Sequence, residues 1–315
     1  MSLKKNHRFK DNPVLLNLDL IIRKNAKNIR NDINDVIDEQ VIIELSQGKN
    51  QNEEANKIIE KIRELKNKEI AILVRQRSQN TEEIIKTLEI NKIQFFYALY
   101  SEEDQIYLDF HSSVLEIFME LRNSKQYGSY NAITAQLIKV ILEKYNDQIE
   151  KDRSINSLIE LMRVFLQSLK KELTTFDDRL ETIIDTLKNN ALRQYLKDIN
   201  SNLILTTIHG AKGLEWDYII LPDLESFSNT FLCGLCSKNR QLNCQVELVD
   251  FKNPSFKEKF LEELSLFYVA VTRSKKQVFF TYSQETYINN YGTYSLEPCN
   301  PCCFLKLDKI NLKLS

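Results

Sequence analysis

Apolar positions along this chain recur with two periods, and the order of those periods predicts three regions. A helical spacing covers Val14 to Ile29 and again Glu53 to Leu65. A strand follows over Glu69 to Val74, then a helix over Thr81 to Glu89 and an apolar run from Ile93 to Leu99. From about residue 101 to 198 the spacing is helical almost throughout: Phe110, Val114, Ile117, Phe118 and Leu121 form one stripe, and Ile155, Leu158, Ile159, Met162 and Phe165 another. This block holds Gly128 and no proline, so it reads as helices joined by polar turns such as Asn146-Asp147. After 200, strands return at Leu203 to Ile208, at Tyr218 to Leu221 and at Val278 to Tyr282. The last is preceded by a helix with Leu261, Leu264, Tyr268 and Val271 on one face, and Arg273, Lys275 and Lys276 are expected at that helix's C-terminal end, where cations suit its dipole. The pattern is an α/β region interrupted by a helical one.

Composition adds a location. The chain of 315 residues contains 6 Gly, 3 His and 1 Trp. Gly210, Gly213, His209 and Trp216 all fall in Thr-Thr-Ile-His-Gly-Ala-Lys-Gly-Leu-Glu-Trp, residues 206 to 216, between two apolar strands. A chain sparing in glycine uses it where the backbone must bend to positive φ or approach a ligand closely. Phosphate-handling and nucleic-acid-handling loops are written in this way, and an ordinary connection with a solvated lysine and glutamate is the plainer alternative.

Charge and cysteine narrow the setting. Net charge is -1, so no global field draws nucleic acid, although residues 1 to 30 carry eight Lys or Arg against Asp11 and Asp19. With 43% hydrophobic residues the chain has room for two domains and a genuine core. No apolar run reaches the roughly 18 residues of a membrane span and no secretory segment opens the chain, so a cytoplasmic protein without a membrane partner is expected. The six cysteines lie late, as Cys233-x-x-Cys236, Cys244 and Cys299-x-x-Cys302-Cys303. Cys233, Cys236, Cys299 and Cys302 could share a tetrahedral zinc ion, and reduced thiols are the competing reading.

Four segments in order carry a resemblance: Asn6-His7-Arg8-Phe9; Ile70-Ala71-Ile72-Leu73-Val74-Arg75; the loop Thr207-Ile208-His209-Gly210-Ala211-Lys212-Gly213-Leu214-Glu215-Trp216; and Phe267-Tyr268-Val269-Ala270-Val271-Thr272-Arg273-Ser274-Lys275-Lys276. They resemble motif IV, the strand after it, motif V and motif VI in the C-terminal half of UvrD/Rep/PcrA-type superfamily 1 DNA helicases. Pro301-x-x-Phe304-Leu305 echoes a closing element of such domains. The resemblance covers roughly residues 3 to 100 and 200 to 305, more weakly between. It departs from the usual pattern at His7, Phe9 and Trp216 and in an insertion from about Ser226 to Lys257.

The resemblance implies a RecA-like parallel-sheet domain (2A) formed by residues 1–100 and 199–315, with an all-helical 2B-like domain, 101–198, inserted. It implies that Arg8 and Arg273 serve as arginine fingers on ATP, that Glu215 and Gly213 address the nucleotide, and that Thr207, His209, Lys212 and Arg75 meet single-stranded DNA. Two permanently charged guanidiniums suit a phosphoryl group gaining charge in its transition state. No Gly-x-x-x-x-Gly-Lys-Ser/Thr loop occurs, and Gly48-Lys49 is followed by Asn50. An N-terminal helicase domain is therefore the expected partner, bringing the phosphate loop and the magnesium acid, with single-stranded and duplex DNA as the other partners. The chain alone is expected not to hydrolyse ATP. A non-catalytic nucleic-acid-binding or partner-docking module, or the helicase subunit of a helicase-nuclease, would read similarly.

Overall fold

The computed structural model describes residues 9, 12–30, 40–100, 104–124, 126–226, 254–290, 293–299, 301–307 and 309–314. In chain order they form α1 (Pro13–Arg30), β1 (Val41–Gly48), α2 (Gln51–Glu64), β2 (Ile70–Val74), α3 (Gln79–Ile90), β3 (Phe96–Ala98), α4 (Gln105–Asn123), α5 (Tyr130–Ile149), α6 (Arg153–Glu172), α7 (Phe176–Lys188), β4 (Leu203–Thr207), β5 (Trp216–Leu221), α8 (Pro254–Val271), β6 (Ser274–Ser283), β7 (Glu285–Asn290), β8 (Thr293–Pro298) and β9 (Ile310–Leu314). The chain divides into two compact units, residues 1–94 with 215–315, and residues 95–214.

The first unit is built on parallel strands paired β2 to β5, β5 to β6, β6 to β1 and β1 to β9. Every residue of β2 is buried, as parallel strands covered on both faces require. The helix α2 begins where Asn50 accepts the Glu53 N–H, and it buries Ala55, Ile58, Ile59 and Ile62. Phe304, in the Pro-x-x-Phe-Leu tail, is fully buried and meets the rings of Phe260 and Phe267 on α8 with centroids 5.3 and 5.5 Å away. Asp19 of α1 is buried and bonds Arg23 and the Tyr268 hydroxyl of α8.

The second unit holds α4 to α7 and the parallel pair β3–β4. Each helix opens on a side-chain cap, Asp104, Ser129, Asp152 and Thr175 in turn. Buried His111 connects α4 to the turn after α7: its Nδ1 lies 2.7 Å from the Tyr107 carbonyl, and its Nε2 accepts the Leu192 N–H at 3.4 Å. That pattern fixes a neutral ring with the proton on Nδ1, and burial lowers its pKa.

Three features differ from the sequence expectation. The strand β1 at Val41–Gly48, the hairpin β7–β8 and β9 were not assigned from the sequence, although Val41-Ile42-Ile43 carries the signal. The helix α8 ends at Val271, and Lys275 and Lys276 belong to β6 rather than to the helix end. The helix stops because Thr272 and Arg273 turn back to the Tyr268 and Ala270 carbonyls and the chain enters the sheet. Trp216 opens β5 instead of closing the loop before it. Among the described residues, no helix is long and apolar enough to cross a membrane.

Candidate nucleotide and nucleic-acid interface

The loop after β4 is two successive tight turns. Ala211 N–H reaches the Thr207 and Ile208 carbonyls, Lys212 N–H reaches His209, and Leu214 N–H reaches Ala211. Bonds of this i to i+3 kind bring residues three apart onto one side. Ile208, Ala211 and Leu214 are buried, so they pin the loop; His209, Lys212 and Gly213 are exposed. The imidazole of His209 and the ammonium of Lys212 therefore share the outward side. Gly213 has φ +83, a conformation that side-chain-bearing residues rarely adopt, and it makes the exit from the second turn. Thr207, expected to face DNA, is largely buried, and its Oγ1 accepts the Gly210 N–H at 3.0 Å, so its hydroxyl caps the loop.

In the sheet-bearing unit, Glu215 is exposed one residue before β5. The Trp216 N–H donates to the Arg273 carbonyl at 3.0 Å, which fixes Glu215 next to Arg273 at the amino ends of β5 and β6. The Arg273 guanidinium is half-buried; its Nε donates to the Val269 carbonyl at 3.1 Å and its Nη2 to Thr272 Oγ1 at 3.3 Å. Lys276, on β6, pairs with Asp217 at 2.5 Å. Arg8, Cys233 and Cys236 lie outside the described residues.

Arg75 follows β2 and forms a two-pronged ion pair with Glu263 of α8, through Nε at 3.0 Å and through a short Nη2 contact. Pairing and bonding to Glu263 raise its pKa further. Both side chains are mostly buried, so Arg75→Ala leaves a carboxylate short of its partner. Urea unfolding is expected to show a loss of about 1–2 kcal/mol, reduced from a fully buried pair by the remaining exposure. The exchange Arg75→Glu with Glu263→Arg is expected to recover most of that loss. An unchanged midpoint in Arg75→Ala would remove the pair from the stabilising contacts.

Sequence reading missed a second polar centre at the opposite, carboxyl ends of the strands. Glu54 of α2 and Asp223 and Glu225, after β5, are buried with oxygens within 4.8 Å of one another. Glu54 Oε1 accepts the Asp223 N–H at 3.1 Å and the Thr281 hydroxyl at 2.6 Å. The Asn80 amide donates to Asp223 and, at 3.2 Å, to Glu225, which also accepts from the Ser283 hydroxyl at 3.1 Å. Burial first, and Asp223 second, push Glu54 up to about 8; burial pushes Asp223 up to about 6, and burial with both neighbours raises Glu225 strongly. Cys299 sits at the rim, its thiol donating to the Ser283 carbonyl at 2.9 Å, with its pKa raised by burial and these acids. Cys299 is here a hydrogen-bond donor and Cys302 is buried, while the other two cysteines of the zinc expectation, Cys233 and Cys236, are not among the described residues. Only the pairing of strand ends over 171 residues of chain could have revealed the triad, and no local motif records that.

A parallel α/β sheet bearing an exposed acid and an arginine at adjacent strand starts, with a helical region between its halves, defines a RecA-like helicase C-terminal domain. The chain belongs to the UvrD-like helicase C-terminal domain family, which matches residues 101–285. The match thus includes the helical residues, where the motifs were weakest. Over 116 residues, 36% of its length, the chain is 34% identical to a probable DNA helicase II homolog of Mycoplasma pneumoniae; the matched stretch is 13% of that relative's length.

Proposed function

We propose that this chain is the C-terminal motor region of an ATP-dependent superfamily 1 DNA helicase, working with an N-terminal domain that carries the phosphate loop and, through it, Mg²⁺. The observation that carries this reading is the backbone bond from Trp216 to Arg273, which sets Glu215 and Arg273 side by side at the starts of β5 and β6. ATP supplies a phosphoryl group that gains charge as it transfers. Arg273 donates to those oxygens from a fixed planar fork, and Glu215 accepts from the ribose hydroxyl, away from the phosphates. With the phosphate loop on the other domain, hydrolysis requires closure of the two. Arg8 and Gly213 are assigned to the same nucleotide site by resemblance.

His209 and Lys212 contact the backbone of single-stranded DNA, with Thr207 shaping the loop beneath them; Arg75 is assigned to the same strand by resemblance. Phosphate contacts of this kind position a strand without reading its sequence. One segment, residues 206 to 216, thereby serves DNA at its start and nucleotide at its end. The test is anisotropy of a labelled single-stranded oligonucleotide over about 50 to 200 mM salt. Lys212→Ala is expected to weaken binding to all sequences alike and to reduce the salt slope by about one ion. Unchanged affinity and slope in that variant would overturn the DNA contact.

A further inference from the structure

Strand β4 is buried at every position, a setting that favours Val, Ile and Leu, yet its last two residues are Thr206 and Thr207. Thr207 caps the loop. Thr206 is fully buried and stands opposite Ala98 in the β3–β4 register, and its Oγ1 donates to the Ala98 carbonyl at 3.1 Å. A buried hydroxyl that merely filled space would carry a desolvation cost that valine avoids. The loop above it explains the choice. A Cβ placed on Gly210 would lie 2.5 Å from Thr206 Oγ1 and 3.2 Å from both the carbonyl and the hydroxyl of Thr207. The Gly210 backbone therefore rests directly on the Thr206 hydroxyl, and the Ala98 carbonyl holds that hydroxyl in place.

We infer that Thr206 is a positioning residue for the loop. Its hydroxyl, clamped to β3, is the seat for Gly210, and the seat sets how His209 and Lys212 are presented to the DNA backbone. The inference deepens the proposed DNA contact and rests on it for its functional consequence. The structural half stands on the contact alone.

The experiment measures hydrogen exchange of the loop amides, residues 208 to 214, together with oligonucleotide affinity. Gly210→Ala is expected to speed loop exchange and to weaken single-stranded DNA about tenfold, the size that an overpacked contact gives. Adding Thr206→Ala to Gly210→Ala removes the clash and is expected to recover part of both losses but not all, because the clamp to Ala98 stays absent; such a partial recovery is a non-additivity that independent sites do not show. Should Gly210→Ala fail to fold, the pair Thr206→Ser and Thr206→Val decides. Serine keeps the hydroxyl and is expected to match wild type, whereas valine keeps the bulk, loses the clamp and is expected to loosen the loop. Equal behaviour of serine and valine, or wild-type exchange in Gly210→Ala, overturns the inference. Faster loop exchange without any change in DNA affinity, seen also in Lys212→Ala, upholds the seat and overturns the DNA contact instead.

Discussion

Raising the pH from about 5 to about 9 is expected to lower the unfolding free energy of this protein by a few kcal/mol. The cause is the buried triad Glu54, Asp223 and Glu225. In the unfolded chain these acids ionise near their ordinary values, about 4. In the folded chain burial and mutual repulsion hold their protons, to about 8 for Glu54 and about 6 for Asp223. A folded pKa above the unfolded one contributes stability that is complete below the unfolded value and is lost as pH rises through the folded one. Each such proton contributes a slope of about 1.4 kcal/mol per pH unit across its window. The groups facing the triad include Asn80 on α3, Ser78 just before it, Thr281, Tyr282 and Ser283 on β6, and Cys299 at the rim, none of which brings a positive charge. The raised thiol of Cys299 adds the same sign above about pH 9. His111 has the opposite sign: its lowered pKa costs stability only as pH falls through about 6.5, so the interval from 7 to 9 isolates the acids. Urea unfolding at pH 5 to 9 measures the trend. Glu54→Gln keeps the oxygen that accepts from Asp223 and Thr281, and it is expected to flatten the curve between 6 and 8. Stability that is level or rising from pH 7 to 9 in the wild type would place the ionised triad inside the fold after all.

What could be read from the sequence was what neighbours in the chain decide. Ile70 to Val74 was legible as a strand because five consecutive apolar residues have few other fates, and α2 and α3 were legible from their helical spacing, whereas their caps, Asn50 and Ser78, emerge only in the structure. The loop was legible because its glycines are scarce elsewhere. Its internal division was not: Ile208, Ala211 and Leu214 pin it and His209 and Lys212 face outward, a spacing of three that only the turn geometry assigns. Thr207 looked like a DNA contact and serves as a cap, since a hydroxyl near a strand end can do either. The triad lay beyond reach because acids are normally solvated, and its burial depends on three strand ends meeting. Asp223 follows Pro222 directly after the strand, where a solvated turn would be the ordinary outcome; the structure gives it a φ of +56 and places its carboxyl group inside the protein.

Arg273→Ala, in a protein that also carries the phosphate loop, is expected to lower DNA-stimulated ATP turnover by about 10³-fold or more while nucleotide affinity changes little. The asymmetry follows from when the charge appears. In the proposed role the guanidinium would meet phosphoryl oxygens that are most negative in the transition state, so removing it would raise the barrier without removing the ground-state contacts of the sugar and base. Arg273→Lys is expected to fail nearly as badly, because a single ammonium cannot span two oxygens as the planar fork does. The backbone at this position also matters, since its carbonyl holds Trp216 and through it Glu215. Both variants keep that carbonyl, so their defect isolates the side chain. Glu215→Gln supplies the contrast: an amide can still accept from a ribose hydroxyl, so a modest rise in KM for ATP with kcat nearly kept is expected. Steady-state turnover at saturating DNA, with nucleotide affinity measured separately, distinguishes the two. Wild-type kcat in Arg273→Ala would remove this residue from the phosphoryl transfer and leave Glu215 addressing a nucleotide that the chain binds but does not help to cleave.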